Sequence, residues 1–155
     1  MISEDLGHWR YKGDAPLLED AFGFVYNITN TTNDRAYIGR KYLRHGGRKT
    51  KTVKGKRVKS PTFGKDTNWR NYTGSCLTLN NDIDLIGKSN FNFEIILWSP
   101  TRGDLHYSEQ FLLMINQVLH SDGFYNDSIP GLKFKPYKAV SQEDIEKYGN
   151  IKGNK

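Results

Sequence analysis

"AFGFVYNITNTTNDRAYIGRKYL", residues 21–43, reads as two strands about a turn. Phe22, Phe24, Tyr26 and Ile28 alternate onto one side, the two-residue period of a strand. "TNTTND" (29–34) is a polar turn and "RAYIGRKYL" (35–43) a second strand, so the pair predicts a hairpin. Ala36, Tyr37 and Ile38 end on Gly39, Arg40 and Lys41. A sheet edge needs neither the glycine nor the paired cations for its stability. An anion that must approach the backbone closely would use both.

Downstream, "FNFEIILW" (91–98) predicts a third strand, apolar from Ile95 to Trp98. "CLTLNNDIDLIG" (76–87) predicts a helix capped by Ser75, with Leu77, Ile83 and Ile86 inward and Gly87 as its stop. "LHYSEQFLLMINQVLH" (105–120) is the clearest helix, its broad apolar face made by Leu105, Phe111, Leu112, Met114, Ile115, Val118 and Leu119. Ser141 and Asp144 form a capping box for a short helix to about Tyr148. The order hairpin, helix, strand, helix predicts an α+β domain with a small three-stranded mixed or antiparallel sheet. The chain divides into an arm (1–21) with Trp9 and Tyr11 as docking points, a domain (22–140) with an insertion (43–68), and a C-terminal helix and tail (141–155).

The 155 residues suffice for one domain with its own core. A single cysteine, Cys76, excludes an internal disulfide and suits a reducing, intracellular setting. No apolar run approaches the ~20 residues of a membrane span, and "MISEDLGHWRYKGD" lacks a signal peptide's apolar stretch. Net charge is +6, but its distribution says more. Residues 40–70 hold twelve Lys and Arg against one acid, Asp66, while the rest is mildly acidic. So dense a basic run points to a polyanion and to salt-dependent binding. The insertion reads as long and mobile or partly extended.

"FVY" (Phe24–Tyr26) followed by "YIG" (Tyr37–Gly39) resembles the paired signature of the GIY-YIG nucleases, with Phe and Val in place of Gly and Ile. A later strand, Glu109 in an apolar helix and then "YN" (Tyr125-Asn126) match the order of that family's further features. Trp69, Tyr72, Gly74 and Ser75 make the W-x-x-Y-x-G-S run of phage-type members that carry a basic insertion after YIG. The resemblance spans residues 22–127.

It implies a divalent-metal-dependent endonuclease that hydrolyses double-stranded DNA, with one Mg²⁺ or Mn²⁺ on Glu109, working inside an infected bacterial cell. Tyr26 and Tyr37 would face the scissile phosphate, either as bases or as groups orienting water. Gly39 would admit the phosphate, and Arg40 or Lys41 would stabilise developing charge. The family's helix arginine falls on Arg44, Arg48 or Arg70, with Arg70 preferred because it reaches the helix start. Asn126 would orient a phosphate or hold the geometry of the metal site. Arg44, Arg48, Lys49, Lys51, Lys54, Lys56, Arg57 and Lys59 would grip DNA. Trp69 and Tyr72 either stack on exposed bases or pack the insertion onto the body. His45 and His106 read as a loop and a structural residue. A dimer is compatible with the resemblance but no dimer seam is legible. The alternative is a binding module on the same scaffold with cleavage lost.

Overall fold

The computed structural model describes residues 4–45, 50–59, 64–132 and 138–149. In chain order its elements are β1 (Arg10–Tyr11), β2 (Gly23–Asn30), β3 (Ala36–Tyr42), β4 (Thr50–Val53), β5 (Lys56–Lys59), α1 (Leu77–Ile86), β6 (Phe91–Ser99), α2 (Arg102–Ile115) and α3 (Gln142–Tyr148). The main sheet runs β1-β6-β2-β3. Strand β2 is antiparallel to both neighbours, and β1 lies parallel to β6. The hairpin and third strand are thus as expected, with a fourth short strand added from the segment read as an arm. Trp9 is buried, and its indole N–H donates to the Trp69 carbonyl at 2.7 Å. From there on, the expected arm is part of the body.

Strand β2 is central, which is why "FVY" reads as a continuous apolar run. Its alternate residues enter two separate cores. Phe24, Tyr26 and Ile28 pack with Trp9, Trp69 and Leu79 on the α1 face. Val25 joins Ile38, Leu105 and Leu113 on the α2 face. In β6 the pairing passes from Val25↔Leu97 to Tyr26↔Ile95, so Ile96 is an extra residue. This bulge lets Ile95 and Trp98 both meet the α1-side core despite their odd spacing.

The helices depart from expectation in detail. The N-cap of α1 is Cys76, and its side chain makes no capping bond. Asn80 ties the helix start instead, donating to the carbonyls of Gly74 and Cys76 and accepting the Thr73 hydroxyl. Leu79 and Ile83, four apart, face inward, while Leu77 is 75% exposed. Gly87, at φ 92°, ends the helix as expected. In α2 the inward stripe is Leu105, Glu109 and Leu113. Phe111, Met114 and Ile115 are exposed, because apolar residues all round the helix left periodicity alone unable to choose a face. The helix also stops at Ile115, five residues early, where Gln117 turns left-handed (φ 47°) and a single 3₁₀ turn covers Val118–His120. Helix α3 starts as expected, Ser141 Oγ accepting from the Asp144 N–H.

After α2 the chain returns along the free edge of β3. The Ala36 N–H donates to the Gly123 carbonyl at 2.8 Å, and the Tyr125 N–H to the Ala36 carbonyl at 2.7 Å. Tyr125 then locks the segment: its hydroxyl donates to Asp82 of α1 and accepts from Asn30 of β2. The insertion, expected to be mobile or extended, contains a separate two-stranded ribbon, β4–β5. Lys54 (φ 50°) and Gly55 (φ 76°) close it in the doubly left-handed turn that suits a two-residue hairpin. Among the described residues no helix is long and apolar enough to cross a membrane.

Candidate active site

Strand alternation places Tyr37 and Gly39 on the α1 face of the sheet, and Ile38 and Arg40 on the α2 face. Tyr26 and Tyr37 therefore belong to one side and Glu109, on α2, to the other. They meet at a cleft of about 250 Å³ at the β3 edge, lined by Tyr26, Tyr37, Arg40, Ser75, Glu109 and Asn126 among others. Gly39 is what lets the two sides communicate. Tyr26 lies opposite it in the ladder. A Cβ at Gly39 would sit 2.5 Å from the Tyr26 hydroxyl oxygen and 3.0 Å from Cε1 of Tyr37. The bare backbone of "YIG" is thus needed first to house the phenol of "FVY". The sequence assigned that glycine to phosphate access; its closest demand is internal.

The run W-x-x-Y-x-G-S builds the wall opposite. Gly74, at φ 86°, takes a backbone conformation that side chains strain, and a Cβ would press within 3.2 Å of Tyr37 Cε1. Ser75 Oγ is 3.4 Å from the Tyr37 hydroxyl. Tyr72 packs edge-on to Tyr26 (ring centroids 6.1 Å apart), and the Lys41 ammonium lies 3.8 Å above the Tyr72 ring. Lys41 thereby stands one ring behind the cleft. Burial lowers its pKa.

Glu109 is 6% exposed, and its Oε2 accepts a hydrogen bond from Arg40 Nη1. Burial raises the carboxyl's pKa and Arg40 pulls it back; the net direction is upward. Burial opposes the Arg40 charge, but the carboxylate more than offsets this and its pKa rises. The two directions conflict over how fully Glu109 is ionised. A guanidinium stays charged in proteins and needs an anion beside it here, so the charged pair is the state at neutral pH. Tyr26, 1% exposed, titrates well above its ordinary range, chiefly through burial, with Tyr37, Tyr72 and Glu109 adding repulsion. Tyr37 is raised too, by burial first and Glu109 among the lesser causes, against a Ser75 hydrogen bond. Both phenols sense the same carboxylate and both remain protonated. The role of base is not available to them in this state.

Asn126 is anchored to the β3 backbone: its Oδ1 accepts the Ile38 N–H at 3.0 Å and its Nδ2 donates to the Ile38 carbonyl at 2.8 Å. It acts as a one-residue strand partner for β3, holding 123–130 over the cleft. Arg70 is elsewhere. It bonds the Asp5 carbonyl, pairs with Asp66 and stacks 4.3 Å from the Trp69 ring. The cleft arginine is Arg40. Trp69, 1% exposed, is a core residue and cannot stack on bases. Arg44 turns back to the Leu18 carbonyl, and Lys54, Lys56 and Arg57 are exposed on the ribbon. Arg48, Lys49 and the side chains of Lys51 and Lys59 lie outside the described residues. Two groups escaped the sequence: Tyr42, whose hydroxyl is 2.6 Å from His106 Nε2, and Ser75 as a partner of Tyr37. Strand parity marks Tyr42 as a neighbour of Arg40 on the α2 face, but not the histidine it meets.

The donors facing the cleft are oxygens with a single carboxylate among them. Among the described residues no three His, Cys, Asp or Glu side chains cluster to hold a metal. Such a set fits a hard cation that keeps most of its waters, such as Mg²⁺ or Mn²⁺, and not a caged one. The Arg40 guanidinium already shows that a cation is accommodated against Glu109.

The family model described as "Putative endonuclease segE, GIY-YIG domain" matches residues 9–129. No curated protein and no solved structure matches the chain. The chain belongs to the GIY-YIG endonuclease family, whose members hydrolyse phosphodiester bonds.

Proposed function

Taking family membership as the premise, we propose that this cleft cuts double-stranded DNA with one divalent cation, Mg²⁺ or Mn²⁺, carried by Glu109. The observation that supports it best is the convergence of Glu109, Arg40, Tyr26 and Tyr37 on one cavity from opposite faces of the sheet. A cation bound there supplies Lewis acidity to a phosphoryl oxygen and an acidified water. The chain's own groups do the rest. Tyr37, steadied by Ser75, holds a phosphate oxygen or the attacking water by hydrogen bonding from its Oη–H. Tyr26, wedged behind Gly39, fixes the Tyr37 ring and offers a second hydroxyl. Arg40, which pairs with Glu109 at the cleft, would be positioned to neutralise charge developing on the phosphoryl group. Asn126 acts through the backbone it clamps. One cleft cuts one strand, so nicked circles should precede linear product. The single cysteine supports an intracellular setting, here the cytoplasm of a phage-infected bacterium.

The test is cleavage of supercoiled plasmid with and without Mg²⁺, beside binding by mobility shift. Glu109→Ala should lower cleavage by about 10²-fold or more while binding persists, in line with losing metal-borne charge stabilisation. Equal cleavage by Glu109→Ala, or by wild type in chelator, overturns the proposal. The Arg40–Glu109 contact also favours a second reading, a module whose carboxylate is permanently neutralised. Binding without any cleavage in Mg²⁺ or Mn²⁺ would establish that one instead.

A further inference from the structure

Among the described residues, the ribbon β4–β5 adds nothing to either core. It is a sheet of its own, and Thr50 and residues 52–58 are all exposed. Val53 and Val58 are 48% and 49% exposed, so they serve no core. A lone two-stranded hairpin is marginal in water, and something else must account for its upkeep. No acid occurs from Arg44 to Lys65. The register Thr52↔Arg57 and Val53↔Lys56 sorts the ribbon into two unlike faces. One presents Thr52 and Arg57, a hydroxyl and a forked donor. The other carries Val53 and Val58 together with Lys56, the cross-strand partner of Val53.

The insertion is closed at its base on the body. Arg44 bridges Asp66, His45 N–H donates to the Lys65 carbonyl, and Thr67 N–H to the Leu43 carbonyl. The insertion thus leaves and returns at the end of β3, the strand whose Arg40 lines the cavity. The fifteen residues from Gly39 to Lys54 span at most ~50 Å of chain, or about 15 base pairs at ~3.4 Å each.

We propose that β4–β5 is a sequence-reading ribbon that enters the major groove of the duplex being cut, within about 15 base pairs of the cut. The groove, ~12 Å wide, admits a two-stranded ribbon. Arg57 faces the base edges, where its fork matches guanine O6 and N7, and Thr52 lies beside it as a shorter hydrogen-bonding group. Lys54 and Lys56, at the turn, meet phosphates. The inference rests on the reading of the cleft as a DNA nuclease, but its test does not require cleavage.

The probe is a pool of 40-base-pair duplexes with a randomised centre, selected for binding to the full-length Glu109→Ala protein and sequenced. Guanine should be enriched about tenfold at one or two positions, the discrimination expected of a bidentate arginine contact. In the same background, Arg57→Lys keeps the charge but loses the fork, so enrichment there should fall below about threefold while affinity changes little. Base frequencies that stay flat in bound DNA overturn the ribbon's role, as does failure to bind the pool at low salt. So does an enriched guanine that survives both Arg57→Lys and Arg57→Ala. A parent protein that never nicks plasmid refutes the nuclease reading alone.

Discussion

Replacing Gly39 by alanine separates two explanations of the "YIG" glycine. Gly39 lies in a strand with no left-handed φ, so alanine suits the backbone and contributes about 0.5–1 kcal/mol of stability. Against this, the new methyl falls 2.5 Å from the Tyr26 oxygen, 2.7 Å from Cζ and 3.0 Å from Tyr37 Cε1. Tyr26 cannot swing clear, since Trp9 (5.0 Å between centroids), Tyr72 and Phe24 enclose it. Overpacking of this kind costs about 1–3 kcal/mol. The net expectation is a loss of about 1–2 kcal/mol, or roughly 2–8 °C in thermal midpoint for a chain of this size. Displacing the phenols by about 1 Å should also slow nicking on the order of 10²-fold. Denaturant unfolding and single-turnover plasmid nicking measure the two effects. Adding Tyr26→Phe removes the nearest atom, so the double variant should regain part of the stability but not the activity. If the glycine served only phosphate approach, Gly39→Ala would lose activity at equal or higher stability and Tyr26→Phe would restore nothing. That result refutes the housing argument.

Asn126→Ala removes both bonds to the Ile38 backbone, and should cost about 1–3 kcal/mol in denaturant unfolding. Its nicking rate should fall while the salt dependence of DNA binding stays put. Trp69→Ala should cost about 3–5 kcal/mol as a core truncation; unchanged stability with weakened DNA binding would instead restore the base-stacking role. His8 has both ring nitrogens buried without partners, and its pKa is lowered to about 4, first by burial and then by Lys88. The folded state then binds fewer protons than the unfolded between pH ~6.5 and ~4, so stability falls as pH drops through that window. Allowing for partial exposure the loss is about 1–2 kcal/mol. His8→Phe, which keeps the stacking on Phe93 at 4.0 Å, should flatten that part of the unfolding profile against pH.

Period two in "AFGFVYNI" and its partner made the hairpin legible, because β2 and β3 are regular over seven paired positions. The bulge at Ile96 hid which of Ile95 to Trp98 share a face. In α2, Glu109 looked marginal on an apolar arc drawn through Phe111, Met114 and Ile115, yet it is the middle of the buried stripe. A helix apolar on two sides does not reveal which side meets the sheet; that depends on Leu105 and Leu113 finding Val25 and Ile38. Trp9 and Trp69 are sixty residues apart, and no local pattern announces that one caps the other's carbonyl. The order of motifs, by contrast, led to Tyr26, Tyr37 and Glu109, which do share a cavity. It missed Arg40 as the partner of Glu109 because that pairing is made across elements.

The strap formed by residues 123–126 has a bearing on assembly. With Gly123, Tyr125 and Asn126 saturating β3 from Ala36 to Ile38, two molecules cannot merge their sheets there without stripping four hydrogen bonds from each. Should cutting of both strands require a pair of molecules, they must join elsewhere than at this edge, leaving each cavity free to turn toward its own strand.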